Sequence, residues 1–154
     1  MHVKRVAHIA VATAQLDTMK AVLGDVLGLP LLREARFESG TEMAMFQLGD
    51  LNLEVLQNPL PDSLPGRFMR ESLNPGSTSG YYHVCLEVDD LQATLKELAA
   101  KGARPLGSAP RKGHAGAPVV FLDPATTGGL LIELEQAHAE VHAPPTPSEN
   151  PIAI

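Results

Sequence analysis

Hydrophobic and polar positions follow the same order twice along the chain. An alternating stretch starts at His8 and another at His83, and each leads through a polar turn into a segment with helical spacing. Three more strand-like stretches follow each helical segment. They lie at about 30–38, 41–48 and 51–57 in the first half and at about 103–110, 117–122 and 129–136 in the second. Each half is therefore predicted to fold as βαβββ, and the whole as a duplicated α+β protein.

The two helical segments each place aliphatic residues on one face. In the first segment these residues are Leu16, Met19, Leu23, Val26 and Leu27, and in the second they are Leu91, Leu95, Leu98 and Ala99. Gly28 and Gly102 are placed to end the two helices. Both helices are expected to bury these faces against the sheet.

A connector and a tail make up the rest of the chain. Residues 58–80 contain four prolines and have room for one short helix near Gly66–Ser72. The Pro-rich end of the chain is typical of an extended segment. The predicted organisation is a first module at 1–57, a linker at 58–80, a second module at 81–136 and a tail at 137–154, with 1–136 forming one structural domain.

Strand parity predicts a cluster of polar residues on one face of the sheet. In four strands, the aliphatic residues at alternate positions must face the helices, which leaves one His or Glu per strand on the concave face. These residues are His8, Glu54, His83 and Glu133. Each residue taken alone is typical of the wet face of a sheet. The repeat of one His and one Glu in each half instead favours a metal site.

The predicted ligand set indicates which ions would bind. Two imidazoles and two carboxylates suit a borderline or hard divalent ion such as Co, Ni, Mn, Zn or Fe, and the carboxylates also neutralise its charge. An ion with four protein ligands and an octahedral preference keeps two adjacent positions open. A substrate with two neighbouring oxygens could chelate there.

The composition narrows the range of partners and compartments. The chain has a net charge of −6 and no basic stripe that offsets it, which argues against nucleic acid or an anionic membrane as a partner. No apolar stretch approaches the ~20 residues of a membrane span, and the N-terminus lacks a signal-peptide run. Cys85 is the only cysteine, so an internal disulfide is impossible and a cytoplasmic location is expected.

Three further groups of polar residues have open interpretations. His114, in the Gly-rich segment 113–116, belongs either to a mobile loop or to a loop that closes over a substrate. Arg111 and Lys112 are either a solvated basic pair or contacts for a CoA phosphate. Cys85 is expected to be a small thiol lining the cavity rather than a fifth ligand or a nucleophile.

Several motifs carry a family resemblance over about residues 5–137. They are His8-Ile-Ala-Val with its following helix, Leu48-Gly49 before Leu53-Glu54-Val-Leu, Tyr82-His83-Val-Cys-Leu-Glu-Val-Asp, and the segment from Val120 to Glu135. The chain resembles the vicinal-oxygen-chelate superfamily, which includes glyoxalase I, bleomycin-resistance proteins and extradiol dioxygenases, and it is most similar there to the methylmalonyl-CoA epimerases. The resemblance implies a curved, half-open eight-stranded sheet with helices outside, a homodimer, and the four metal ligands that parity selects.

The chain departs from the epimerases at three positions. Met43 occupies the place of a second catalytic Glu that some epimerases carry, and the adjacent Glu42 has the opposite parity. The loop histidine of the family is displaced to His114. Asp123 replaces a His that precedes the Pro of the last turn.

The resemblance implies a metal-dependent epimerase that acts on a 2-substituted malonyl-CoA thioester through a metal-stabilised enolate. Glu133 is the expected proton-transfer group. The second such group is Glu42 if its strand is bulged, Glu54, or a bound water. Met43 and Met45 are expected to form an apolar wall that can raise the pKa of a carboxylate.

Two alternative functions share the expected fold. The first is a glyoxalase I-like lactoylglutathione lyase, whose bacterial members use the same His, Glu, His, Glu set. The second is a non-catalytic protein of the resistance type that binds a small molecule in the concave cavity. Proteins of that type lack the metal ligands, so the presence of this set counts against it.

Overall fold

The computed structural model describes residues 2–108, 110–113 and 116–138. His114 and nearly all of the predicted tail therefore lie outside the described residues. The strands are β1 Val3–Thr13, β2 Leu31–Arg36, β3 Glu42–Leu48, β4 Leu51–Gln57, β5 Ser79–Val88, β6 Arg111–Lys112, β7 Pro118–Phe121 and β8 Ile132–Gln136. The α-helices are α1 Leu16–Ala21, α2 Leu64–Glu71 and α3 Leu91–Ala100, with a π-helical turn at Val22–Val26 and a 3₁₀ turn at Pro124–Thr126.

The described strands form one mixed sheet of eight, in the order β2-β3-β4-β1-β5-β8-β7-β6. The two halves meet at the centre, where β1 and β5 run antiparallel. Within each half the first strand pairs in parallel with the last, β1 with β4 and β5 with β8. The duplicated βαβββ order and the curled, half-open sheet with α1 and α3 on its outer face are therefore confirmed.

Two apolar clusters attach the helices to the convex face of the sheet. The α1 segment covers the first half, and α3 covers the second. The first cluster is Leu16, Leu23, Ala44, Phe46 and Val55, and the second is Val88, Leu91, Val120, Leu122 and Leu134. Because strand residues alternate between faces, the residues between these positions point into the concave side. Among the described residues, no helix is long and apolar enough to cross a membrane.

The end of the first helix departs from the prediction. Val26 and Leu27 are 75% and 61% exposed, although helical spacing places them on the buried face. The backbone N–H of Leu27 donates to the carbonyl of Val22, which is five residues earlier rather than four. This wider turn shifts the angular position of every residue after it, so the last two aliphatic residues rotate away from the sheet. Gly28 ends the segment as predicted, with φ of 69°.

The prediction of a strand at 103–110 is wrong. The described residues of that segment, 103–108 and 110, form only an isolated bridge, between Pro105 and Leu122, and the edge strand among the described residues is the short β6 that follows. Pro105 and Pro110 have no backbone N–H to donate to a neighbouring strand. Gly107 has φ of 100°, which is outside the extended region.

The helix predicted near Gly66–Ser72 is confirmed as α2, which begins two residues earlier than expected. Ser63 caps it, since its hydroxyl accepts a hydrogen bond from the backbone N–H of Gly66 at 3.0 Å. This helix lies on the concave side of the sheet, where Leu64 and Phe68 pack against the inner cluster that includes Tyr82. The connector therefore helps to close the cavity described below.

Candidate metal centre

The four predicted ligands lie on the four central strands of the sheet. In the register, Glu54 and His83 stand on either side of Ala10, and His8 and Glu133 stand on either side of Cys85. Ala10 is a small residue between two long side chains, which leaves room for their ends to approach one another. The four side chains are buried.

The ends of the four side chains converge on one point. The Nε2 atoms of His8 and His83 are 3.2 Å apart. The Oε2 atom of Glu133 lies 3.2 Å from the Nε2 of His8 and 3.1 Å from that of His83. The Oε2 atom of Glu54 lies 3.3 Å from the first of these nitrogens and 3.8 Å from the second. The structure therefore brings together all four residues that the sequence selects.

These distances fit ligands that share one metal ion. With bonds of about 2.0–2.2 Å, neighbouring ligands of a tetrahedral or octahedral ion are about 2.8–3.6 Å apart. Two imidazole nitrogens face each other and also face both carboxylates. A neutral imidazole that does not donate through Nε2 presents a lone pair there, and a single cation at the centre would satisfy such lone pairs and the carboxylate oxygens together. The donor set therefore suits a borderline or hard divalent ion.

The close approach of these imidazoles and carboxylates shifts the pKa values of His8 and Glu133. Burial alone would lower the pKa of His8, but hydrogen bonds and charge interactions with Glu133 and Glu54 raise it to about 10. Burial alone would raise the pKa of Glu133, but hydrogen bonds with His8 and His83 hold it well below its usual range. When no metal is bound, the protonated imidazole of His8 supplies the positive charge next to the two carboxylates. A metal ion that binds there must displace that proton.

Cys85 does not belong to this set, although its sulfur lies within ligand distance of His8 and Glu133. Its thiol donates to the Oε2 of Glu135 at 3.7 Å. Burial, together with the charges of Glu133 and Glu135, raises the pKa of the thiol far above its usual range. Because nucleophiles are thiolates, the protonated thiol of the metal-free protein is not suited to nucleophilic attack. It also does not line the cavity, contrary to expectation.

A cavity of about 610 Å³ lies over the four ligands. Glu54, His83 and Glu133 are part of its lining. Apolar and aromatic walls come from both halves of the sheet and from α2, namely Phe37, Leu56, Leu64, Pro65, Tyr82, Val119 and Phe121. This volume is typical of small-molecule sites, which combine apolar walls with a few convergent polar groups.

Basic side chains also line the cavity. Arg111 and Lys112 lie there on β6, as the phosphate interpretation of this pair requires. Arg33 and Arg36 on β2 join them, although the sequence pattern did not single them out. A register shift in β2 between Leu31 and Arg33 precedes these residues, and alternation along the sequence gives no sign of such a shift.

Glu42 lies outside the cavity, which corrects the expectation that it could act as the second proton-transfer group. Its carboxylate is half-exposed and lies 3.5 Å from the guanidinium of Arg36 on the neighbouring strand. The physical reason is parity: β3 pairs with β4 without a register shift, so Met43 rather than Glu42 faces inward. Met43 and Met45 are buried in the inner cluster with Tyr82, which confirms the apolar wall.

Comparison with known proteins places this site in a family. A family profile described as the Glyoxalase/Bleomycin resistance protein/Dioxygenase superfamily matches residues 7–121. The mouse protein named methylmalonyl-CoA epimerase, mitochondrial, is 35% identical over 134 residues, which cover 86% of this chain and 73% of that protein. An ethylmalonyl-CoA/methylmalonyl-CoA epimerase from Cereibacter sphaeroides is 34% identical over 86% of this chain and 97% of its own length.

The fold is also similar to that of solved epimerases. A structure of methylmalonyl-CoA epimerase in complex with methylmalonyl-CoA and NH4+ superposes with a TM-score of 0.79 at 26% identity, and the match covers 90% of this chain and 97% of that one. Sequence relatives and structural neighbours of the same kind thus extend over most of the chain. The chain belongs to the glyoxalase/bleomycin resistance/dioxygenase superfamily, and its relatives include proteins named methylmalonyl-CoA epimerase.

Proposed function

We propose that this protein is a metal-dependent epimerase of a 2-substituted malonyl-CoA thioester, with methylmalonyl-CoA as the substrate to test first. The observation that carries the proposal is the convergence of His8, Glu54, His83 and Glu133 within 3.1–3.8 Å at a cavity of about 610 Å³. The names of the sequence relatives narrow the substrate to this class. The proposed ion is Co, Ni, Mn, Zn or Fe.

The reaction needs a group that removes the α-proton and a group that returns one to the opposite face. Glu133 on β8 and Glu54 on β4 flank the central β1–β5 pair from opposite sides. The carboxylate of Glu133 lines the cavity beside the imidazoles of His8 and His83, which places it within reach of a substrate bound there. We assign Glu133 to removal and the Glu54 side, directly or through water, to return.

The chemistry balances without a redox partner. The α-carbon loses a proton to Glu133 and the electron pair of that C–H bond moves into an enolate. A proton from the Glu54 side then forms a new C–H bond on the other face, so the configuration is inverted and no atom is gained or lost. When bound, a divalent ion would supply Lewis acidity that stabilises the enolate oxygen by several kcal/mol.

The basic side chains support a substrate that carries phosphates. Arg33, Arg36, Arg111 and Lys112 line the cavity of a protein whose net charge is −6. Guanidinium and ammonium groups are the usual partners of phosphate oxygens. We assign Arg111 and Lys112 to the CoA phosphates, and His114 to the loop next to them.

Two further parts of the proposal concern the protein's surroundings. A homodimer is proposed on the resemblance to superfamily members, which are often dimers. A reducing compartment, the cytoplasm, is proposed because Cys85 is the only cysteine. Size-exclusion chromatography with light scattering measures the first, and a monomer at micromolar concentration would contradict it.

The test of the function is proton exchange. Methylmalonyl-CoA is incubated in deuterated water with protein loaded with cobalt, and NMR follows the α-proton. We expect loss of the α-proton signal that depends on both protein and metal, and racemisation of a single stereoisomer at a comparable rate. Absence of exchange with every one of the five proposed ions would refute the proposal.

A glyoxalase I-like lyase is the second candidate, because the carboxylates of Glu54 and Glu133 complete the His, Glu, His, Glu set of bacterial glyoxalase I. The assay is formation of lactoylglutathione from the hemithioacetal of methylglyoxal and glutathione, with Ni or Co. Turnover in this assay, without exchange of the acyl-CoA α-proton, would favour the lyase over the epimerase.

A further inference from the structure

A bulge in the central strand pair brings a tyrosine into the cavity. Ala10 pairs with His83, but the next residue of β1, Val11, pairs with Tyr81, so Tyr82 has no partner in the register. In a regular strand Tyr82 and His83 would face opposite sides of the sheet. Here both of them line the cavity. Bulges that redirect a side chain in this way are frequent next to active sites.

Packing holds the Tyr82 ring in place. The ring centroid lies 4.9 Å from that of His83 and 5.1 Å from that of Phe68 on α2. The residue is only 4% exposed and belongs to the inner apolar cluster. Since buried rings in tight contact lose little further freedom when a ligand binds, the hydroxyl position is fixed before the substrate arrives.

The Tyr82 hydroxyl forms no hydrogen bond within the described part of the chain, and it is not one of the fully buried polar atoms there, because the side chain lines the cavity. Burial raises the pKa of this hydroxyl, the charges of Glu133 and Glu54 raise it further, and the charge of Arg111 lowers it. The hydroxyl can therefore donate a hydrogen bond to a group that enters the cavity.

We propose that the Tyr82 hydroxyl donates a hydrogen bond to the thioester oxygen of the substrate as that oxygen becomes the enolate oxygen. This inference rests on the proposed epimerase function. A neutral donor adds little to the binding of a carbonyl oxygen, which is a weak acceptor, and adds more once negative charge develops there. A contact with the substrate carboxylate would instead contribute equally to binding and to the transition state.

The chain provides a matched pair of variants for the test. Tyr82→Phe removes one oxygen atom and keeps the ring that packs against Phe68 and His83. Tyr81→Phe is the control, because it makes the same chemical change in the adjacent residue, which is 46% exposed and does not line the cavity. Metal content and melting temperature are measured for both variants before kinetics.

We expect Tyr82→Phe to lower kcat about 10- to 100-fold, toward the lower end of what loss of an oxyanion donor causes, with KM changed less than about threefold. Tyr81→Phe should match the unmodified protein. An unchanged kcat in Tyr82→Phe would overturn the inference, as would a loss confined to KM or a loss of bound metal. If the unmodified protein exchanges no α-proton at all, the proposed function fails first, so the two failures are distinguishable.

A binding measurement tests the same contact without turnover. The probe is 2-nitronate-propionyl-CoA, in which a nitro group replaces the substrate carboxylate and the negative charge is shared through the α-carbon with the thioester oxygen, as in the enolate. Its Kd is compared with that of methylmalonyl-CoA by calorimetry. Tyr82→Phe should weaken nitronate binding about tenfold and leave methylmalonyl-CoA binding within about threefold. Equal effects on the two ligands would overturn the assignment to the enolate oxygen.

Discussion

Removal of His8 perturbs the proposed metal site with the least damage to packing. Its ring contacts that of His83, whereas the His83 ring also contacts Tyr82 and Phe121. A four-ligand protein site binds zinc with about 10–16 kcal/mol, so the share of one ligand is about 2.5–4 kcal/mol. At about 1.4 kcal/mol for each factor of ten, His8→Ala should weaken metal binding about 60- to 700-fold.

Competition with a chromophoric chelator measures this affinity directly. The control is His2→Ala, since His2 is exposed at the N-terminal end of β1, where its ring lies 2.8 Å from Asp89. Circular dichroism is used to check that both variants fold. We expect the control to bind metal like the unmodified protein and His8→Ala to bind it far more weakly. An affinity for His8→Ala within threefold of the unmodified protein would refute the assignment of His8 as a ligand.

Four further predictions rest on the same structure. Glu133→Gln should lower kcat about 10²- to 10⁴-fold while retaining part of the metal affinity, and steady-state kinetics with metal analysis would exclude its proton-transfer role if kcat were unchanged. Because the pKa of His8 is raised to about 10 in the metal-free protein, metal binding must release that proton. Titration calorimetry should show affinity rising about tenfold per pH unit up to about pH 9, and a pH-independent affinity would contradict this coupling. The same raised pKa stabilises the metal-free protein fully below pH 6.5 and loses its effect as the pH rises through about 10, which thermal melts at several pH values would detect. Arg111→Ala should raise KM for the acyl-CoA about tenfold with little change in kcat, whereas Arg104→Ala, whose side chain does not line the cavity, should leave KM unchanged.

Strand parity was sufficient to identify, from the sequence, the four side chains that the structure brings together. The aliphatic residues at alternate positions of these strands had to face the helices, so His8, Glu54, His83 and Glu133 had to face the concave side. The duplication then indicated that the four strands occupy equivalent central places. Neither step depends on the exact ends of the elements. Both therefore remained valid although the end of the first helix and the strand at 103–110 were predicted wrongly.

The features that the sequence did not predict are all local departures from regular geometry. A π-helical turn exposes Val26 and Leu27, and prolines with a left-handed Gly107 prevent the strand at 103–110. The bulge at Tyr82 and the shift in β2 before Arg33 each move side chains relative to simple alternation. Such departures depend on packing between distant segments, which periodicity within one segment does not report.

Glu42 shows the same limit, because the sequence allowed a bulge that the structure does not contain. A bulge in β3 would have brought its carboxylate into the cavity, and the sequence alone left that open. The structure has a regular register there, which leaves Met43 facing inward. Of the carboxylates that the sequence singled out, those of Glu54 and Glu133 therefore line the cavity and that of Glu42 does not.

Anomalous diffraction from crystals grown with cobalt is the most direct test of the central claim that these side chains share one metal ion. We predict a single strong peak about 2.0–2.3 Å from the Nε2 atoms of His8 and His83 and from carboxylate oxygens of Glu54 and Glu133. A cavity without such a peak under saturating cobalt, or a peak bound to other residues only, would contradict the account.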